Sequence, residues 1–172
     1  MEEISISISS KSNDEYRIIL SPFNQDIIPC EVRKSIRDIE IADVTLERVK
    51  GENPTDIGIL LKISDIIGKV LNDNNNLILY FYCDDMHDIP RRDKALTPQK
   101  FRSLLFSRMF DKYISSNSII NIINTPIEIK ADRHIYIHLI SRACHLEHVN
   151  AIKRDIQQMS LKSKMAYKVD RV

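Results

Sequence analysis

Residues 77–114 read LILYFYC, DDMHDIPRRDKAL and TPQKFRSLLFSRMFDKYI, and these three segments decide the fold. The first, Leu77 to Cys83, is an unbroken apolar run rich in strong strand formers. A strand with one wet face would alternate, so an unbroken run predicts a strand buried on both faces, at the centre of a sheet. In the third segment Thr97 and Pro98 supply a helix N-cap and a first-turn proline, which predicts a helix to about Ser115. Its apolar arc holds Phe101, Leu105, Phe106, Met109, Phe110, Tyr113 and Ile114, and Arg102 projects from the middle of that arc. The middle segment is a charged loop, long for a compact domain, that leaves the end of the central strand.

Upstream, Ile4, Ile6 and Ile8 alternate with Ser5, Ser7 and Ser9, a polar turn follows, and Tyr16 to Leu20 is again apolar. This predicts an antiparallel hairpin ended by Ser21-Pro22. Pro29 breaks any continuous element between 23 and 37. Ile39, Ile41, Val44, Leu46 and Val49 read as a strand whose phase slips at Ala42-Asp43, which predicts a bulge or two short strands. Beyond Gly51, Asn53 and Pro54 repeat the cap and proline, with Asp56 well placed against a helix dipole. From Ile57 to Leu71 apolar residues cover more than half of a helical wheel, leaving Lys62, Asp65 and Lys69 as a narrow polar stripe. Such a helix must be largely covered.

Downstream, Ile119–Ile123 and Pro126–Lys130 are split by Asn124-Thr125-Pro126, which an edge strand or a turn tolerates and a central strand does not. His134 to Ile140 alternates Ile135, Ile137 and Leu139 with His134, Tyr136 and His138, a strand pattern. A last amphipathic helix carries Leu146, Val149, Ile152, Ile156 and Met159 on one face. Residues 161–172 read as a basic C-terminal tail. The order β-β-β-α-β-α-β-β-α predicts one α+β domain over residues 1–160, with a mixed or largely antiparallel sheet and about three packed helices.

A chain of 172 residues suits one such domain. Its charge is near neutral but uneven. Residues 1–88 carry nine Lys/Arg against seventeen Asp/Glu, and residues 89–172 carry sixteen against seven, giving −8 and +9. A basic half attracts an acidic partner, or the halves neutralise each other within the fold or across a homodimer. Cys30, Cys83 and Cys144 are odd in number and widely spaced, as expected of free thiols in a reducing compartment. The opening MEEISISIS lacks the pattern of a signal peptide, and no apolar run approaches the roughly 20 residues that span a bilayer. A cytoplasmic protein without membrane contact is the expectation.

Gly51, Gly58 and Gly68 are the only glycines, which excludes a Walker A loop, a GxGxxG fingerprint and any glycine-rich phosphate cradle. No GxSxG elbow is present, and no cofactor is expected. In the loop, Asp84, Asp85 and His87 offer metal ligands or a general base, and Arg91 and Arg92 offer a bidentate clamp for phosphate or carboxylate. The plainer reading is a turn of mutual ion pairs, in which Asp84 compensates the Arg102 that the helix would otherwise bury alone. Basic residues interleave with Phe101, Phe106 and Phe110 as on nucleic-acid surfaces, but the helical wheel assigns those rings to the core. His145 and His148 beside Cys144 have zinc-ligand chemistry without a second ligand pair. Glu128-Ile-Lys130 matches half of a metal-nuclease pattern.

YFYCDD, the downstream IPRR and the helix FRSLLFSRMFDKY resemble the central segment of a small bacterial protein family, a domain of unknown function. The resemblance covers residues 77–115 together with the strand and helix from His134 to Ile156. It implies a bacterial cytosolic origin and brings no activity, ligand or catalytic residue. The reading that follows from the residues is a non-enzymatic binding module. It engages an acidic protein or nucleic acid through Arg91, Arg92, Lys94 and the helix edge Lys100, Arg108 and Lys112. Beside it stand a metal-dependent hydrolase or nuclease using Asp84, Asp85, His87 and Glu128, and a homodimeric interaction protein.

Overall fold

The computed structural model describes residues 2–24, 33–34, 38–53, 57–86, 93–117, 121–130 and 134–169, with the backbone alone at 117 and 159–169. Cys30, Pro54, Asp56, His87, Arg91, Arg92 and the interrupted segment around Pro29 lie outside the described residues. The strands are β1 (Ile4–Ser9), β2 (Glu15–Pro22), β3 (Glu40–Lys50), β4 (Leu77–Tyr82), β5 (Ile122–Lys130) and β6 (His134–Arg142). The helices are α1 (Ile57–Asp73), α2 (Pro98–Asn117) and α3 (Leu146–Val169). One mixed sheet of order β1-β2-β3-β4-β6-β5 carries them, so the fold is the α+β domain predicted. The backbone of α3 runs helically through most of the segment read as a tail.

β4 is central because both its faces are covered. Leu77, Leu79 and Phe81 enter a core with α1 and α2, while Ile78 and Tyr80 enter a second core with Val149, Ile152 and Ile156 of α3. Burying both faces requires every residue to be apolar, which is the physical content of the unbroken run. β5 lies at the edge and absorbs Pro126 in a continuous strand, where a missing N–H costs no ladder bond. At the other edge, β1 and β2 pair as the expected hairpin.

The phase slip in β3 has another cause than the one predicted. The strand is unbroken, and its register against β2 shifts only at Glu15/Tyr16. Ile39 and Ile41 belong to the α3-side core, whereas Ala42 and Val44 belong to the α1/α2 side. The buried face changes along the strand because different helices cover its two ends. The apolar pattern follows that coverage, not a backbone irregularity.

Polar groups fix the corners. Asp14, 1% exposed in the β1–β2 turn, accepts hydrogen bonds from the Ser12 and Ser10 hydroxyls and from the backbone and side-chain N–H groups of Asn53. Burial alone would raise its pKa, but these bonds together outweigh it and hold the carboxyl below its usual range. Gly51, at φ 98°, passes so close to the Asp14 carboxylate that a Cβ there would collide with it. At the end of α1, the Arg142 guanidinium donates to the carbonyls of Leu71 and Asn72, each at 3.0 Å, satisfying groups the helix leaves open. Among the described residues no helix is long and apolar enough to cross a membrane.

Candidate functional site

The parallel ladder between β3 and β4 runs from Glu40/Leu77 to Asp43/Tyr80 and stops. β3 continues beside β2, while β4 ends at Tyr82 beside β6. The strands part at their carboxyl ends, and a cleft of about 720 Å³ opens between them under the helices. Residues 43–48 of β3 form one wall. Leu60 and Ile63 of α1 and Leu105, Phe106 and Met109 of α2 form the roof. Phe81 stacks on Phe106 with ring centroids 4.2 Å apart, fixing α2 over β4.

At the mouth, Arg102 turns back to the start of the loop. Its guanidinium donates to the Asp84 carbonyl at 2.7 Å and lies 3.8 Å from the Asp84 carboxylate. Asp84 also accepts from the Met86 N–H at 2.8 Å. Asp85 accepts from the Tyr82 hydroxyl at 3.0 Å, and Asp93 from the Ala95 N–H at 2.9 Å. The described acids of the loop thus shape turns and brace the helix. Cys83, just before the loop, is buried, and burial pushes its thiol up to about 12 despite the opposing charge of Arg102. It is no nucleophile at neutral pH.

Lys100, Leu104, Arg108 and Lys112 follow one another at four-residue intervals and form a stripe along the exposed side of α2. Leu104 is 41% exposed in its middle. Among the described residues Lys94, Lys100, Arg108 and Lys112 take part in no ion pair. Phe106 and Phe110 are buried on the other side of the same helix, as the wheel predicts.

The residues of the metal-site reading have separate partners. Glu128 accepts from the His134 ring at 3.1 Å and from the Tyr136 hydroxyl at 3.3 Å, on the β5–β6 pair. Asp84 and Asp85 are held as above, and His87 lies outside the described residues. Among the described residues no three His, Cys, Asp or Glu side chains come together. His145 donates to the Asn75 carbonyl at 2.6 Å, and its ring lies 6.3 Å from that of His148.

Sequence reasoning missed a buried polar network centred on one histidine. His138, on the pattern's polar phase of β6, is fully buried beneath α2. Its Nε2 lies 2.9 Å from the Ser103 hydroxyl and its Nδ1 2.9 Å from Asn124 Oδ1. An amide oxygen only accepts, so Nδ1 carries the proton and Nε2 accepts from Ser103. The order serine, histidine, amide is that of an activated nucleophile. Here, however, Phe106 packs on the imidazole at 4.9 Å between centroids, and none of the three residues lines the cleft. The network ties α2 to β6 and β5. Ser103 would have been findable, because it falls between Gln99 and Phe106 on the buried side of α2. Compared with protein-family models, curated proteins and solved structures, the chain matches none.

Proposed function

We propose that the protein is a non-enzymatic binding module that engages an acidic partner through the outer side of α2. The carrying observation is the stripe Lys100, Arg108 and Lys112, exposed and without carboxylate partners among the described residues. Solvated cations at helical spacing present a continuous positive edge, and Leu104 among them supplies the apolar centre that protein interfaces use. Lys94 extends the edge into the loop, and Arg91 and Arg92 add charge from the same loop in sequence. The burial of Phe106 and Phe110 leaves the half-buried Phe101 as the one ring of the three that a single-stranded nucleic acid could reach, so an acidic protein surface is favoured over bases.

Titrations with polyglutamate, duplex DNA and single-stranded DNA at rising salt test this reading. Polyglutamate is expected to bind at low salt and to be released as salt rises, with the affinity abolished in Lys100→Glu/Arg108→Glu/Lys112→Glu. Duplex binding with a steep salt slope would move the partner to nucleic acid. No binding of any polyanion at low salt would sink the proposal.

A further inference from the structure

β1 forms one edge of the sheet, and the register of its hairpin fixes which of its backbone groups face outward. The Ser10 N–H donates to the Asp14 carbonyl at 2.8 Å, which makes Ser10 and Asp14 the hydrogen-bonded pair that closes the turn. In an antiparallel ladder such pairs alternate, so Ile8 and Tyr16, Ile6 and Ile18, and Ile4 and Leu20 exchange bonds across the hairpin. Glu3, Ser5, Ser7 and Ser9 then turn their N–H and C=O groups away from the sheet. Lys62 of α1 agrees with this phase, because its ammonium donates to the Ser9 carbonyl at 3.4 Å. Among the described residues no strand pairs with the outward groups of Glu3, Ser5 and Ser7.

Natural edge strands are commonly guarded by a proline, a lysine or a bulge, each of which blocks further pairing. β5, at the other edge, has Pro126 and Lys130. β1 reads ISISIS in regular register against β2 and has none of these guards. Its apolar side is also incompletely covered, since Ile8 is buried, Ile6 half-buried and Ile4 40% exposed.

We propose that β1 pairs antiparallel with β1 of a second copy, about a two-fold axis through Ser5. Lys62 occupies the Ser9 carbonyl, so the ladder uses Glu3, Ser5 and Ser7, and two-fold symmetry centres it on the middle residue. Ser5 exchanges both bonds with its own counterpart, and Glu3 does so with Ser7 of the second copy. The same register sets Ile4 opposite Ile6 of the second copy, which covers the two isoleucines that the helices leave open. Glu2 falls opposite Ile8 of the second copy, next to the Ser9 that holds Lys62. A carboxylate and an ammonium therefore approach each other twice by symmetry. Glu2, Glu3 and Lys62 are exposed, and among the described residues they take part in no ion pair. That charge match, repeated by the axis, selects a second copy over an unrelated strand. A ladder this short supports a weak dimer, with Kd on the order of 0.1–1 mM. Dilute chain is monomeric at this edge, so the α2 stripe is read separately from it.

Light scattering of the full chain at about 300 mM salt, which screens the α2 stripe, should show the mass rising from one chain toward two between about 10 μM and about 1 mM. Amide exchange read by NMR at about 50 μM and about 1 mM gives the phase of the pairing, with Ile6 and Ile8 protected at both concentrations and Ser5 and Ser7 at the higher one alone. Ser5→Pro removes an outward N–H, so dilute chain should keep nearly the native unfolding midpoint while the mass stays at one chain throughout. Ile6→Pro, which removes a bond to β2, should lower that midpoint clearly. The proposal is overturned if the mass does not depend on concentration, if Ser5→Pro dimerises like the native chain, or if the mass rises while the Ser5 and Ser7 amides stay unprotected.

Discussion

Among the described residues His138 carries a clear pH signature. Burial pushes its pKa down to about 4, while an unfolded chain holds histidine near its ordinary 6.5. Above the unfolded value both states are neutral at this residue, and its contribution is complete. As pH falls from about 6.5 to about 4, the unfolded state takes up the proton first, and stability is lost across that window. The difference amounts to roughly 3 kcal/mol. Urea unfolding of the native protein and of His138→Gln at about pH 7.5 and about pH 4.5 isolates it, since carboxylate protonation is common to both chains. The stability gap between them should narrow or reverse at the lower pH. A gap independent of pH would mean that the ring is already charged or hydrated in the fold. Because Ser103 and Asn124 complete its bonds, the residue acts as a pin between helix and sheet, and its neutrality is what permits it to be buried there.

At the scale of elements, the layer over the cleft depends on how α1 meets α2. Tyr113 of α2 packs so closely on Gly68 that a Cβ there would collide with the phenol. Gly68→Ala should therefore destabilise by about 1–3 kcal/mol, the usual cost of overpacking, even though alanine favours the helix. Tyr113→Ala carries its own cost, and the double variant should be more stable than the sum of the two predicts, a coupling read by a chemical-denaturation cycle. Strict additivity would show that the helices do not meet at this pair. The same helices explain which features were legible in sequence. β4 was legible because burial on two faces excludes every polar residue from it. The buried arc of α2 was legible because helical periodicity is local, and Arg102 within it demanded a partner near the loop. The slip in β3 was misread because periodicity reports which helices cover a strand, and that is decided by residues far along the chain. The burial of His138, on the polar phase of β6, was not legible for the same reason. The cleft left no local trace, since it exists only because two strands distant in sequence stop pairing after Asp43 and Tyr80.

Over the whole molecule, the two differently charged halves of the sequence build different elements. Residues 1–88 build β1 to β4 and α1, and residues 89–172 build β5, β6, α2 and α3. The strand order places the two sets side by side along the sheet, with the divide between β4 and β6. The two halves of the sequence carry −8 and +9 formal charges. Such an asymmetry favours association in which acidic surface of one copy meets basic surface of another, so the homodimeric reading and the acidic-partner reading meet in one experiment. If the partner is a second copy, light scattering at about 20 mM salt should give about twice the 20.0 kDa chain mass. The value should return to the monomer at about 300 mM, where screening removes the attraction between exposed charges. Lys100→Glu/Arg108→Glu/Lys112→Glu should be monomeric at both. A monomer at low salt in the native protein removes the homodimer and leaves the stripe to a different acidic surface. A dimer that survives both high salt and charge reversal would place the contact on another face, held by burial of apolar surface instead of by charge.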